Sequence, residues 1–245
     1  MIPFQKLHYN LEKVSIGLVI GIIIAASIGG LVEIVPLFTI QETVRVPKDL
    51  RPLTPLELAG RQIFIREGCY ACHSQMIRSL ADEIDRYGPY SLAAESAYDH
   101  PMLWGSKRTG PDLARVGRKY SDAWHVKHLV EPRSVVPASI MPVYPWLMRP
   151  LDTSNIVDEV SALARLGVPY DKAKLENVKR DLLVQSQPDG RNARALKKRY
   201  GRHIAVRAFD GDPDKLTEMD AIVAYLQSLG TQTEAPYKIR SERPQ

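Results

Sequence analysis

Both cysteines of the 245-residue chain sit in one short stretch, EGCYACHSQ (67–75), and His73 directly follows the second. Three chemistries use a Cys-x-x-Cys pair: a redox disulfide, half of a zinc site, and the two thioether links of a c-type haem when histidine comes next. A disulfide has no use for a histidine at a fixed position. A zinc site needs about four ligands, usually in two clusters. No further cysteine exists here, and His8, His100, His125, His128 and His203 are scattered. Haem c needs what is present. Cys69 and Cys72 would add to two vinyl groups, and the intervening turn would place His73 as the proximal iron ligand. The expected cofactor is one covalently bound haem c. Aromatic content is only 7%, so the core is modest unless a large ligand fills it, and a haem does so. The net charge of +5 is mild and gives no case for a nucleic-acid partner.

The second constraint lies near the start. Between Lys13 and Glu33 the run VSIGLVIGIIIAASIGGLV carries no charge. As a helix it spans about 28 Å, against a bilayer core of roughly 30 Å. A cleaved signal peptide has a shorter apolar region, so the run reads as an uncleaved anchor over residues 14–38. Lys6 and Lys13 precede it while Arg45 and Lys48 follow, and the charge bias settles no orientation. Haem c attachment does: it places residues 1–13 in the cytoplasm and the body in the periplasm of a bacterial inner membrane. Gly17 and Gly21 form a G-x-x-x-G pair that suits a neighbouring helix as well as it suits a lone membrane span. Glu33 falls at the outer end, in the headgroup region or paired inside a larger complex.

A polar, proline-punctuated linker (39–53) leads to a domain expected over 54–231, followed by a tail (232–245). Thr54, Pro55 and Glu57 spell a capping box with proline at the first helical position, and Gly68 closes that helix just before the cysteines. TEMDAIVAYLQSLG repeats the design near the other end: Thr217 and Asp220 as cap pair, an apolar stripe at Ile222, Tyr225, Leu226 and Leu229, and Gly230 as stop. Gly60 offers a notch in which the two helices can cross, with aromatics alongside. A capped helix running into C-x-x-C-H, paired with such a terminal helix, resembles the class I cytochrome c fold. The expected fold class is mainly α: a single transmembrane helix followed by a class I cytochrome c-like haem domain with an inserted segment. That segment (171–213) is basic and reads as a solvated excursion, with contact to a partner or to anionic headgroups as the alternative.

Iron then needs a sixth ligand. Met141 lies in VVPASIMPVYPWL, where Pro137, Pro142 and Pro145 stiffen a loop able to hold a thioether in place, and it is the expected ligand. Met76, Met102, Met148 and Met219 remain in the field, as do His100, His125 and His128; the last two are expected to face solvent or a haem edge. In class I cytochromes a GP-L turn lies against the proximal histidine. That resemblance implies that the Pro111 carbonyl in RTGPDLARVG accepts the His73 Nδ1 proton. Arg108, Arg115 and Arg133 are candidates for the haem propionates.

Four longer stretches carry the resemblance further: GCYACHSQMIR, YGPYSLAAESAYDHPMLWGSKRTGPDLARVG, SDAWHVKHLVEPRSVVPASIMPVYPWL and TEMDAIVAYLQSLGT. Together they resemble the monohaem c-type subunit of cbb3-type cytochrome c oxidases over the anchor and nearly all of 54–170 and 214–231. The resemblance implies a terminal, proton-pumping respiratory oxidase that reduces O2 to water. In it a dihaem c-type subunit feeds this chain, which passes electrons to a membrane subunit holding haem b and copper and performs no bond chemistry itself. It assigns haem attachment to Cys69 and Cys72 and iron ligation to His73 and Met141, and it lays YDHPMLWGSKRTG over the catalytic subunit. An anchored donor to another complex shares every haem feature. A haem peroxidase or reductase needs an open distal site and usually a second haem, whereas one C-x-x-C-H is present.

Overall fold

The structure, a computed structural model, describes residues 8–9, 12–39, 46–187 and 190–234. The linker expected at 39–53 and the tail expected at 232–245 fall partly outside these residues. The chain divides into two compact units, 1–46 and 47–245.

The first unit holds helix α1, Ser15–Leu37. Its 23 residues are apolar enough to cross a membrane, and at 1.5 Å per residue they reach about 35 Å, more than a bilayer core. A side chain at Gly21, Gly29 or Gly30 would touch nothing within 4 Å. The helix fits a membrane anchor.

The second unit is helical, with no strand among the described residues and isolated bridges at His73–Arg108 and Pro150–Thr217. Helix α2, Pro55–Arg66, starts on the box read from the sequence: Thr54 Oγ1 accepts from the Glu57 N–H, and the Glu57 carboxylate accepts from the Thr54 N–H at 2.9 Å. Helices α3 (Ala81–Tyr87), α4 (Asp122–Val130) and α5 (Ile156–Arg165) follow. Next come α6 (Lys172–Leu175), α7 (Val178–Ser186) and α8 (Gly190–Tyr200). The last helix, α9, Glu218–Ser228, begins on the matching box of Thr217 and Asp220. Boxes of this kind stabilise a helix start by about 1 kcal/mol.

The centre of the unit is the crossing of α2 and α9. A Cβ built on Gly60 would lie 1.9 Å from the Ala221 carbonyl oxygen and 2.8 Å from the Tyr225 Cβ. Only a residue without a side chain lets the two backbones meet there. One turn on, Phe64 and Tyr225 pack edge to face with centroids 5.6 Å apart, a geometry worth about 1 kcal/mol beyond area burial.

The basic segment 171–213 is no solvated excursion. Leu182, Leu196, Tyr200, Ile204 and Phe209 are buried in the same core cluster as Leu56 and Phe64. Helix α7 lies against the start of α2, where the Thr54 hydroxyl donates to Gln185, itself wholly buried. Arg199 of α8 forks onto Asp181 of α7, a carboxylate with no exposed surface. Most of the segment's larger apolar side chains point inward, Leu183 being half exposed, and Arg199 and Lys174 are paired within it.

Because the Gly60 crossing has no spare volume, Gly60→Val should destabilise the domain by about 3 kcal/mol or more. A thermal melt of the full chain checks this; an unchanged midpoint contradicts the packing described.

Candidate functional site

Helix α2 delivers the cysteines. It ends at Arg66 with Glu67 as its cap, Gly68 turns the chain with φ 70°, and Cys69–Ala71 form one 3-10 turn. The Cys69 carbonyl accepts from the N–H groups of Cys72 (3.2 Å) and His73 (3.0 Å), which closes the turn and aims His73 away from the helix end. Both cysteines are free thiols. Burial first, and the Glu67 carboxylate next, push the Cys69 thiol up to about 12. That is opposite to the depressed pKa that makes a redox Cys-x-x-Cys reactive. Among the described residues no group of three or more His, Cys, Asp or Glu side chains is placed to hold a metal ion.

The chain after the motif is stitched to residues 104–113. The Gly110 N–H donates to the Cys72 carbonyl (2.9 Å), the Gln75 N–H to the Trp104 carbonyl (2.8 Å), and the Leu113 N–H to the Ser74 carbonyl (2.9 Å). This pairing brings the Pro111 carbonyl oxygen 2.8 Å from His73 Nδ1. With Nδ1–H donating there, the ring is fixed as the tautomer whose Nε2 lone pair is free for a metal. Gly110 makes the approach possible. A Cβ on it would fall 2.2 Å from His73 Cε1. Gly110 directly precedes Pro111, and that adjacency is the signal in the sequence that marks it as part of the site.

Behind the histidine sits a charged buttress. Asp112 is buried and accepts from Ser74 Oγ (2.6 Å), the Met76 N–H (2.9 Å) and the Ala114 N–H (2.8 Å). Arg108 donates to Ser74 Oγ, the Met76 carbonyl and Glu83, each at 2.8 Å. Burial alone raises the Glu83 carboxyl, but hydrogen bonds from Arg108 and Arg78 outweigh it and hold the group at about 2. Arg115 is likewise taken, by Glu95 at 2.8 Å. Of the candidate propionate partners, Arg108 and Arg115 are each matched to a carboxylate within the domain. Arg133 is exposed and donates to the Ser139 carbonyl (3.2 Å).

Met141 lies in the loop between α4 and the 3-10 turn Pro145–Met148, half-buried and resting on the core. The loop is tied on several sides. The Tyr144 N–H donates to the Leu129 carbonyl (2.8 Å), and Trp146 Nε1 donates to Glu67 beside the cysteines (3.2 Å). Arg149 pairs with Glu218 at 2.9 Å. Burial raises the Tyr144 phenol, followed by the nearby Cys69 and Cys72 sulfurs, so this loop lies close to the motif. Met219 is wholly buried in α9, while Met102 and Met148 are about half exposed and His100 is exposed.

Of the two α4 histidines, His125 does not face solvent. His125 is buried, on the same helix face as Leu129, and burial holds it down at about 4. His128 is half-buried and stacks on Trp124 with centroids 4.6 Å apart. Burial lowers it first, and a neighbouring His73 charge next, which places His128 on the His73 side of α4. Its Nδ1 is buried with no partner among the described residues.

The donor set fits a haem. It offers two cysteine thiols a turn apart, an imidazole oriented by a carbonyl, and a thioether in a braced loop. Half-buried Leu103, Leu113, Val126 and Tyr144 add apolar surface on the core, as a macrocycle requires.

Residues 8–233 match the model of a family described as "Cytochrome C oxidase, mono-heme subunit/FixO". A comparison with curated proteins returns no match.

The buttress has a pH signature. Glu83 sits at about 2 in the folded domain, below the about 4.3 of a free glutamate. Its stabilisation is full above the unfolded value and is lost as pH falls through the folded one. The difference in melting temperature between the protein and its Glu83→Gln variant should hold steady above about pH 5 and shrink toward pH 2. A difference that ignores pH contradicts the ion-pair account.

Proposed function

We propose a function from one premise: the chain belongs to the FixO family, the mono-haem subunits of cytochrome c oxidase. It is therefore a haem-bearing electron-transport subunit that works in a complex with other oxidase subunits, and its apolar N-terminal helix fits a membrane anchor. Our reading beyond that is a one-electron relay in a cbb3-type oxidase. A dihaem c-type subunit supplies the electron, and a haem b and copper subunit, where O2 becomes water, receives it. The haem domain faces the periplasm of the bacterial inner membrane and residues 1–13 the cytoplasm.

In this reading Cys69 and Cys72 would hold the haem through thioether bonds, and His73 and Met141 would ligate its iron. The haem supplies reversible exchange of a single electron between ferric and ferrous iron. The protein's part is positional. The Pro111 carbonyl keeps the Nδ1 proton on His73 and makes Nε2 a better donor. Gly110 gives the imidazole room. Asp112 and Arg108 hold the two chain segments in register. The tied loop keeps Met141 from being displaced by water or substrate, which favours a wire over a catalyst. The observation that carries the reading is the 2.8 Å contact of His73 Nδ1 with Pro111, directly after the chain's two cysteines.

Redox titration of the purified full-length chain tests it. One reversible one-electron wave is expected, with no oxygen consumption by the chain alone. Met141→His should lower the midpoint potential, because imidazole favours ferric iron more than thioether does, while Met102→Leu should leave it in place. The opposite pattern, or substantial O2 reduction by the isolated chain, contradicts the proposal.

A further inference from the structure

The basic segment builds a feature that electron relay does not use. Between residues 202–207 and helix α9 lies a cleft of about 380 Å³, with Arg118, Lys197, Arg202 and Arg207 on its walls and Gln227 and Ser228 among its lining. A second hollow of about 440 Å³ shares Arg118, Arg207 and Gln227 with it.

The charges in this cleft do not cancel. Glu57 is the carboxylate in the lining, and Arg51 already forks onto it at 2.6 and 2.9 Å. Arg207 forks onto Asp122, one contact being 2.9 Å. Arg118, Lys197 and Arg202 remain, with no carboxylate partner among the described residues. Like charges gathered on a concave surface repel one another until an anion enters.

Arg118 is also set with care. Its φ of 63° is the one positive value at a non-glycine among the described residues, a backbone state that costs roughly 1–2 kcal/mol. Two contacts hold it. Its N–H donates to Gln227 Oε1 (2.7 Å), and its guanidinium donates to the His203 carbonyl (2.8 Å), which ties it to the loop carrying Arg202. Gln227 is itself anchored to Asp122 (2.7 Å) and to the Tyr120 carbonyl (2.9 Å).

We propose that this cleft binds a phosphate-bearing anion of at least two negative charges. Guanidinium forks match phosphate oxygens two at a time, and a lysine adds a point charge. Three unanswered cations suit a dianion or trianion better than a single carboxylate. The cleft is roomy enough for a diphosphate or for a phosphate with its attached group.

Calorimetric titration of the full-length, haem-loaded chain in a non-ionic detergent tests the site, with inorganic pyrophosphate as probe. Saturable one-site binding is expected. Lys197→Gln with Arg202→Gln, two exposed side chains outside the core, should weaken it by about tenfold or more. The haem spectrum and melting temperature should not move. Arg118→Gln alone should weaken it too, and Lys172→Gln with Lys179→Gln, on α6 and α7, should not. Soluble dihexanoyl phosphatidic acid, a phosphomonoester lipid that carries two negative charges above about pH 8, titrated in competition at that pH, separates the sources. Displacement of pyrophosphate assigns the site to a lipid headgroup, and persistence assigns it to a free phosphate compound. No saturable binding of either probe, or equal weakening by the control pair, overturns the proposal.

Discussion

The haem domain is organised by the absence of one side chain. At Gly60 the backbones of the first and last helices of the domain come into contact, since a Cβ there would overlap the Ala221 carbonyl. Everything downstream inherits that placement. The first helix ends at Arg66, so the crossing fixes where Cys69, Cys72 and His73 emerge. The last helix starts at Thr217, so it also fixes Glu218, which holds Arg66 and Arg149 together. Through Arg149 the loop bearing Met141 is tethered to the same pair of helices.

A second layer of order is electrostatic and lies behind His73. Buried Asp112 and Glu83 draw Ser74, Met76 and Arg108 into one network, and the pairing of the 72–75 and 104–113 segments follows. Unpaired buried carboxylates would be costly, so each member needs the rest. The histidine's hydrogen bond to Pro111 is the outward result. The sites of chemistry are held by backbone pairing and salt bridges, while the scaffold behind them is held by close helix packing.

Much of this was legible in the sequence, and the exceptions share a cause. The caps at Thr54 and Thr217 and the stop at Gly68 are local signals that short-range geometry decides, while the Gly60 notch meets a distant helix and shows in the sequence only through the matching design of the two helices. The Cys-x-x-Cys-His motif is local as well. Residues 171–213 misled because charge dominates their composition, whereas Leu182, Leu196, Tyr200 and Phe209 reach the core from irregular spacings that no single helical period reveals. Arg108 and Arg115 looked available because their carboxylates, Glu83 and Glu95, stand some twenty residues away in sequence. His125 looked solvent-facing from its short polar helix, but it shares a face with Leu129. Gly110 matters only because a ring from another segment lies on it. Each exception turns on a contact between distant parts of the chain, and single-sequence patterns carry little information about those.

The central claim is covalent haem at Cys69 and Cys72, and mass spectrometry of the intact chain under denaturing conditions tests it most directly. The account predicts one species heavier than the polypeptide by a single haem, reverting to lighter chain with unattached haem when both cysteines are replaced by alanine. A denatured chain of bare polypeptide mass, with its haem released into the solvent, would contradict it.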